Sequence, residues 1–74
     1  MMSLSQLQPG ESGRLVADTR PSARLASLGF VAGTEVRVVR RAPLGDPVEI
    51  ELRGYRVCLR ADQVDELAVD RCEP

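Results

Sequence analysis

The sequence predicts a small, mainly β barrel of about five short strands, with one short helix after the first strand and a helical turn before the last. Three observations predict it. Residues 48–52 (Val-Glu-Ile-Glu-Leu) and 55–59 (Tyr-Arg-Val-Cys-Leu) alternate apolar and polar side chains on either side of Arg53-Gly54, the pattern of a half-buried hairpin. Helical spacing is confined to one short segment that opens on Pro21 and ends before Gly29. The chain has 74 residues with one Phe, one Tyr and no Trp. A chain of that size buries only about 60% of the surface its unfolded form exposes, so it holds one thin aliphatic core.

The elements follow in order. Leu4, Leu7 and a Pro9-Gly10 turn open the chain, and a first strand is predicted from Glu11 to Ala17, with Leu15 and Ala17 inward and Arg14 and Val16 outward. Gly13 weakens that strand or marks a bulge. Residues 21–28 read as a helix with Pro21 in its first turn. Gly29 stands where a left-handed cap residue is wanted, which makes Leu25 and Phe30 the apolar pair of a Schellman ending. A strand over about residues 34–41 alternates Val36 and Val38 with Glu35 and Arg37, and residues 42–47 (Ala-Pro-Leu-Gly-Asp-Pro) form a loop.

A two-residue hairpin turn at Arg53-Gly54 pairs Leu52 with Tyr55, Ile50 with Val57 and Val48 with Leu59, all apolar, while Glu51 meets Arg56 on the other face. A slip of one residue would turn charge into the core. Arg is a poor residue for a positive φ, so a three-residue loop with a bulge stays open. Residues 61–66 suggest a helical turn capped by Asp62, residues 67–69 a last strand, and residues 70–74 a tail. Strands this short suit an SH3-like barrel; an OB-like barrel is the alternative, with longer strands as a rule. The expectation is one domain over residues 1–74, its core at about 4–69.

Composition narrows function. The chain has no His, so it lacks the commonest acid–base group and metal ligand near neutral pH. Net charge is −1, which gives no overall attraction to nucleic acid. Its distribution is uneven: residues 37–60 carry a charge of +3 and residues 61–74 a charge of −4. That reads either as solvated strand faces and a soluble tail or as a basic surface that orients a partner. All ten basic residues are Arg. No export signal opens the chain and no apolar run approaches the roughly 20 residues of a spanning helix, so cytoplasm without membrane insertion is expected. Two Cys, 58 and 72, make no disulfide framework.

Taken in order, Arg24-Leu25, Leu28-Gly29-Phe30, Gly33-Thr34, Val36, the Ala42 to Pro47 loop, Ile50, Gly54-Tyr55, Leu59-Arg60 and Val64 resemble the FeoA family over about residues 4–69. The loop is the most specific part. The resemblance implies an SH3-like barrel that acts on the cytoplasmic side of the ferrous-iron transporter FeoB, with no agreed catalytic residues and no agreed iron ligands. Two departures show. Ala32 stands where many members carry Pro before the glycine, and Cys58 fills a strand position usually held by a small or aliphatic residue.

Candidate residues each have a plainer reading. The 42–47 loop offers Leu44 as an apolar anchor at low ordering cost, or Pro43, Gly45 and Pro47 merely shape a connection. Phe30, with Leu25 and Leu28, lines a groove or, in the reading we favour, is core. Cys58, beside Arg56 and Arg60, with Asp46 or Glu49 for oxygen donors, falls short of the four ligands zinc normally takes, and Cys72 lies in the tail. Asp62, Asp65 and Glu66 sit on an exposed turn, whereas general acids need a shielded pocket. No Gly-rich phosphate loop with Lys is present; Arg24 and Arg60 could instead reach a partner's nucleotide.

The expectation is a non-catalytic accessory of ferrous iron uptake, without cofactor or metal, that binds FeoB. The expected contact set is Arg24, Leu28, Phe30, Pro43, Leu44, Gly45, Asp46 and Arg60. Weak self-association is compatible with it, and nucleic acid is not expected as a partner, for want of stacking aromatics. The alternative is a metal-sensing effector domain like the SH3-like C-terminal part of metal-dependent repressors.

Overall fold

The computed structural model describes residues 2–17 and 19–72. Its elements in chain order are β1 (Met2–Ser3), a 3-10 turn (Leu4–Gln6), β2 (Ser12–Leu15), α1 (Ala23–Ser27), β3 (Glu35–Arg41), β4 (Val48–Leu52), β5 (Tyr55–Leu59), α2 (Ala61–Asp65) and β6 (Ala68–Arg71). All strand pairs are antiparallel, in the order β1-β6-β2-β3-β4-β5. The architecture is SH3-like, as expected, with two differences. The described residues form six strands rather than five, because Met2 and Ser3 pair with Val69 and Ala68; two residues are too few to show any alternation. Among the described residues the sheet is also not closed by hydrogen bonds, and β1 and β5 are its edges.

One core holds the domain together. Leu4, Leu25, Phe30, Val38, Ile50 and Val69 are all fully buried within it. The β4–β5 hairpin has the register that the alternation dictates: Leu52 faces Tyr55, Ile50 faces Val57 and Val48 faces Leu59. Its turn is the two-residue form, with Arg53 at φ 51° and Gly54 at φ 84°. Arg53 therefore accepts the backbone that Asn or Gly usually takes there.

The end of α1 also matches expectation. Gly29 sits at φ 107°. The Phe30 N–H donates to the Leu25 carbonyl at 3.1 Å and the Gly29 N–H to the Ala26 carbonyl at 3.0 Å, the double bond of a Schellman ending. The start of the helix differs. Ser22 is its N-cap and accepts from the Leu25 N–H at 3.3 Å, so Pro21 precedes the cap instead of lying in the first turn.

β2 is shorter than predicted. Leu15 is buried but Ala17 is exposed, because the strand stops at Leu15 and alternation ends with it. Gly13 marks no bulge; it pairs regularly with Val36 on one side and Arg71 on the other. A side chain there would meet the Val69 Cβ and Cγ2 at 3.0 Å and the Asp70 carbonyl at 3.2 Å, so a Cβ would force β2 and β6 apart by a few tenths of an ångström. At the other end of the chain, β6 continues to Arg71 and the Cys72 N–H donates to the Ser12 carbonyl at 2.9 Å. Pairing thus extends beyond Val69, and of the expected tail only residues 73 and 74 lie outside the described residues.

Candidate partner-binding surface

The 42–47 loop is a hydrogen-bonded connection between β3 and β4. The Gly45 N–H donates to the Ala42 carbonyl at 2.7 Å and the Ala42 N–H to the Pro47 carbonyl at 3.0 Å. Pro43 sits at the second position of the inner turn, where its fixed φ fits. Leu44 crowns the turn with 97% of its surface exposed. An apolar side chain held this far out by a braced backbone loses little freedom when a partner covers it.

Asp46 ties this loop to α2. Its carboxylate accepts from the Ala61 N–H at 3.0 Å, an orphan donor of the first helical turn. The expected cap, Asp62, does not serve: Arg60 is the N-cap residue and Asp62 is the second residue of the helix, exposed and 3.7 Å from the Arg60 guanidinium. The Gln63 side chain closes the other donor, accepting from the Arg60 N–H at 2.9 Å. Loop, Arg60 and the start of α2 thus form one unit.

The remaining expected contact residues lie at the opposite end of β5. Leu28 is half-buried, and its carbonyl accepts a hydrogen bond from the Tyr55 hydroxyl. Arg24 is exposed on α1. Phe30 is fully buried; it is core, as favoured, and presents no surface. The structure therefore separates the set into two groups, with β5 running between them over about 17 Å.

On the outer face of β3, β4 and β5 the charges pair across strands. Glu51 binds Arg37 at 2.6 Å and lies 3.7 Å from Arg56, and Glu49 lies 2.8 Å from Arg40 and 3.5 Å from Arg56. The predicted Glu51–Arg56 contact exists, but Arg37 is the nearer partner. Hydrogen bonding to Arg37 and its positive charge hold the Glu51 carboxyl below the ordinary glutamate range, with Arg56 adding to the effect. The carboxylates lie beneath the cations: Glu49 is 17% and Glu51 32% exposed, against 80% for Arg40 and 55% for Arg56.

Two residues escaped the sequence reading. Arg41 donates to the carbonyls of Ser5 (2.6 Å) and Leu7 (2.8 Å), fastening the end of β3 to the N-terminal turn. Thr19 accepts from the Ala68 N–H at 3.1 Å. All three bonds join residues distant in sequence, and no local pattern signals them. Cys58 is exposed opposite Glu49 on β5, whereas Cys72 lines a separate cleft with Arg14 and Asp70. Among the described residues, no three of His, Cys, Asp and Glu are grouped to hold a metal ion. Among the described residues, no helix is long and apolar enough to cross a membrane.

These features define an SH3-like β domain whose most prominent apolar feature is a loop tip on its exterior. The sequence model of the FeoA domain matches residues 2–71, and the chain belongs to the FeoA family. It is 33% identical over 72 residues to the Fe(2+) transport protein A/Fe(2+) transporter FeoB fusion protein of Porphyromonas gingivalis, an alignment covering 93% of this chain and 8% of that protein. The chain thus spans less than a tenth of the length of that relative. Among solved structures, the FeoA-like protein of Clostridium acetobutylicum superposes with a TM-score of 0.87 at 25% identity, covering 99% of this chain and 88% of that one. The zinc complex of Stenotrophomonas maltophilia FeoA, described as a procaryotic SH3 domain protein, gives 0.76 at 33% identity, covering 95% and 91%. A manganese-dependent transcriptional repressor shares the fold alone, with a TM-score of 0.81 at 18% identity over 96% of this chain and 41% of the repressor.

Proposed function

We propose that this chain is a non-catalytic accessory of ferrous iron uptake that binds the cytoplasmic side of an FeoB-type transporter through the 42–47 loop. The observation that carries the reading is Leu44, almost wholly exposed on a loop braced by three hydrogen bonds. Family membership supports the process, and the P. gingivalis fusion protein, which joins the two functions in one chain, supports the choice of partner. Covalent linkage of that kind raises the effective concentration of one module for the other, which suits an accessory that works by contact. The description of the S. maltophilia protein as a candidate activating factor of ferrous iron transport points the same way.

The loop's geometry makes the role concrete. Burying a leucine side chain at an interface contributes about 1.5–3 kcal/mol, and the braced turn limits the entropy lost on docking. Arg60, held beside the loop through Asp46 and Ala61, adds a cation at its margin. The chain acts, in this reading, on the transporter's conformation or assembly. The test is ferrous iron uptake in cells that depend on the transporter, complemented with this chain or with Leu44→Asp. The variant should fold normally and restore uptake poorly; full uptake with the variant would remove the loop from the mechanism.

A further inference from the structure

We propose that the free edge of β5 is a docking site for an extended, acidic segment of a partner protein, which adds to the sheet as a seventh strand. The inference concerns a surface other than the 42–47 loop and stands whether or not the loop contact does. Residues joined by a two-residue turn exchange both backbone bonds, and the pairs beyond them alternate. Leu52–Tyr55, Ile50–Val57 and Val48–Leu59 are therefore the bonded pairs, and the N–H and C=O groups of Arg56 and Cys58 point away from β4. Because β5 ends the sheet, no strand meets those groups, and among the described residues they have no other hydrogen-bond partner. A strand edge of this kind accepts an added strand through main-chain bonds.

Charge selects the occupant. Residues 53–60 contain Arg53, Arg56 and Arg60 and no acid. Arg53 has no ion pair among the described residues, and it occupies a positive φ where Asn or Gly would fit better. That unfavourable local choice keeps a cation at one end of the edge. Arg60, its side chain 73% exposed, stands at the other end, with Asp62 beside it. Along the strand the carboxylates of Glu49 and Glu51 are covered more deeply than the guanidinium of Arg56 that pairs with them. The charge that an incoming strand meets first is positive, in a chain whose net charge is −1. A second copy of β5 would add three more Arg to an edge that already carries three, raising its positive charge instead of neutralising it. An acidic strand has no such conflict.

The test uses amide hydrogen exchange followed by NMR on the full chain. The probe is a capped peptide of about seven residues alternating glutamate and valine, long enough to match a typical strand. Free protein should exchange the Arg56 and Cys58 amides fast and the Val57 amide slowly; saturating peptide should slow the first two by about tenfold or more. The same peptide with lysine for glutamate should give no protection. Cys58→Pro removes an edge-facing N–H at a position where proline is tolerated; it should abolish the effect, while Cys58→Ala keeps it. Absence of protection at millimolar glutamate peptide, equal protection by the lysine peptide, or retained binding by a folded Cys58→Pro variant would overturn the proposal. Protection of Arg56 and Cys58 that rises with protein concentration alone would overturn it too, since a second copy would then hold the edge.

Discussion

Gly13 shows how a single missing methyl group sets the approach of two strands. Its neighbours on β6 leave little room for a Cβ: the Val69 Cβ and Cγ2 would lie at 3.0 Å and the Asp70 carbonyl at 3.2 Å, and the Cβ and the carbonyl are held by the backbone. Gly13→Ala should destabilise the fold by about 1–3 kcal/mol, as overpacking does, measured by chemical denaturation. Arg53 works in the opposite sense. A residue at φ 51° in this turn is usually Asn or Gly, so Arg53→Asn should leave stability equal or slightly raised, by about 0.5 kcal/mol. A variant clearly less stable would show that the Arg53 side chain carries packing the turn geometry does not account for.

The elements owe their ends and faces to a few polar contacts. Asp46 caps α2 from fifteen residues upstream. Asp46→Ala should cost about 0.5–2 kcal/mol and accelerate amide exchange in residues 61–65 before it affects the β4–β5 hairpin. The outer face of that hairpin supplies a pH dependence. The Glu51 carboxyl in the folded chain titrates below its ordinary value of 4.5, because Arg37 holds the charged form. The unfolded chain therefore binds the proton first as pH falls, so the contribution is whole above 4.5 and is lost as pH drops through the lower folded value. Glu51→Gln should be less sensitive to acid in that window and unchanged in slope near neutrality; equal acid sensitivity in both proteins would contradict the assignment.

This level was also the most legible from the residues. The hairpin register and the Schellman ending follow from period-two alternation and from Leu25, Gly29 and Phe30 in fixed order, both local signals. What the sequence does not display is non-local: β1, too short to alternate; the Arg41 clamp on Ser5 and Leu7; and the cap of α2, which comes from Asp46 and not from Asp62 in its own helix. The candidate surface divides the same way. Loop and Leu44 were readable from composition, but the separation of the expected contact set into two groups along β5 depends on topology.

For the molecule as a whole, the core and the surface have separate tasks. The aliphatic core is complete around Phe30, and truncating that side chain to Ala should cost about 3–5 kcal/mol, enough to unfold a domain this small. Nothing in that core needs to change when Leu44 changes, so stability and the proposed partner binding should be separable. Isothermal titration of the purified chain into the soluble cytoplasmic part of an FeoB-type transporter tests the central claim directly. The account predicts binding by the native chain and a loss of about tenfold or more in Leu44→Asp, consistent with removing one buried leucine, at unchanged thermal stability. Equal affinity of the two proteins, or no heat of binding confirmed by co-sedimentation, would contradict it.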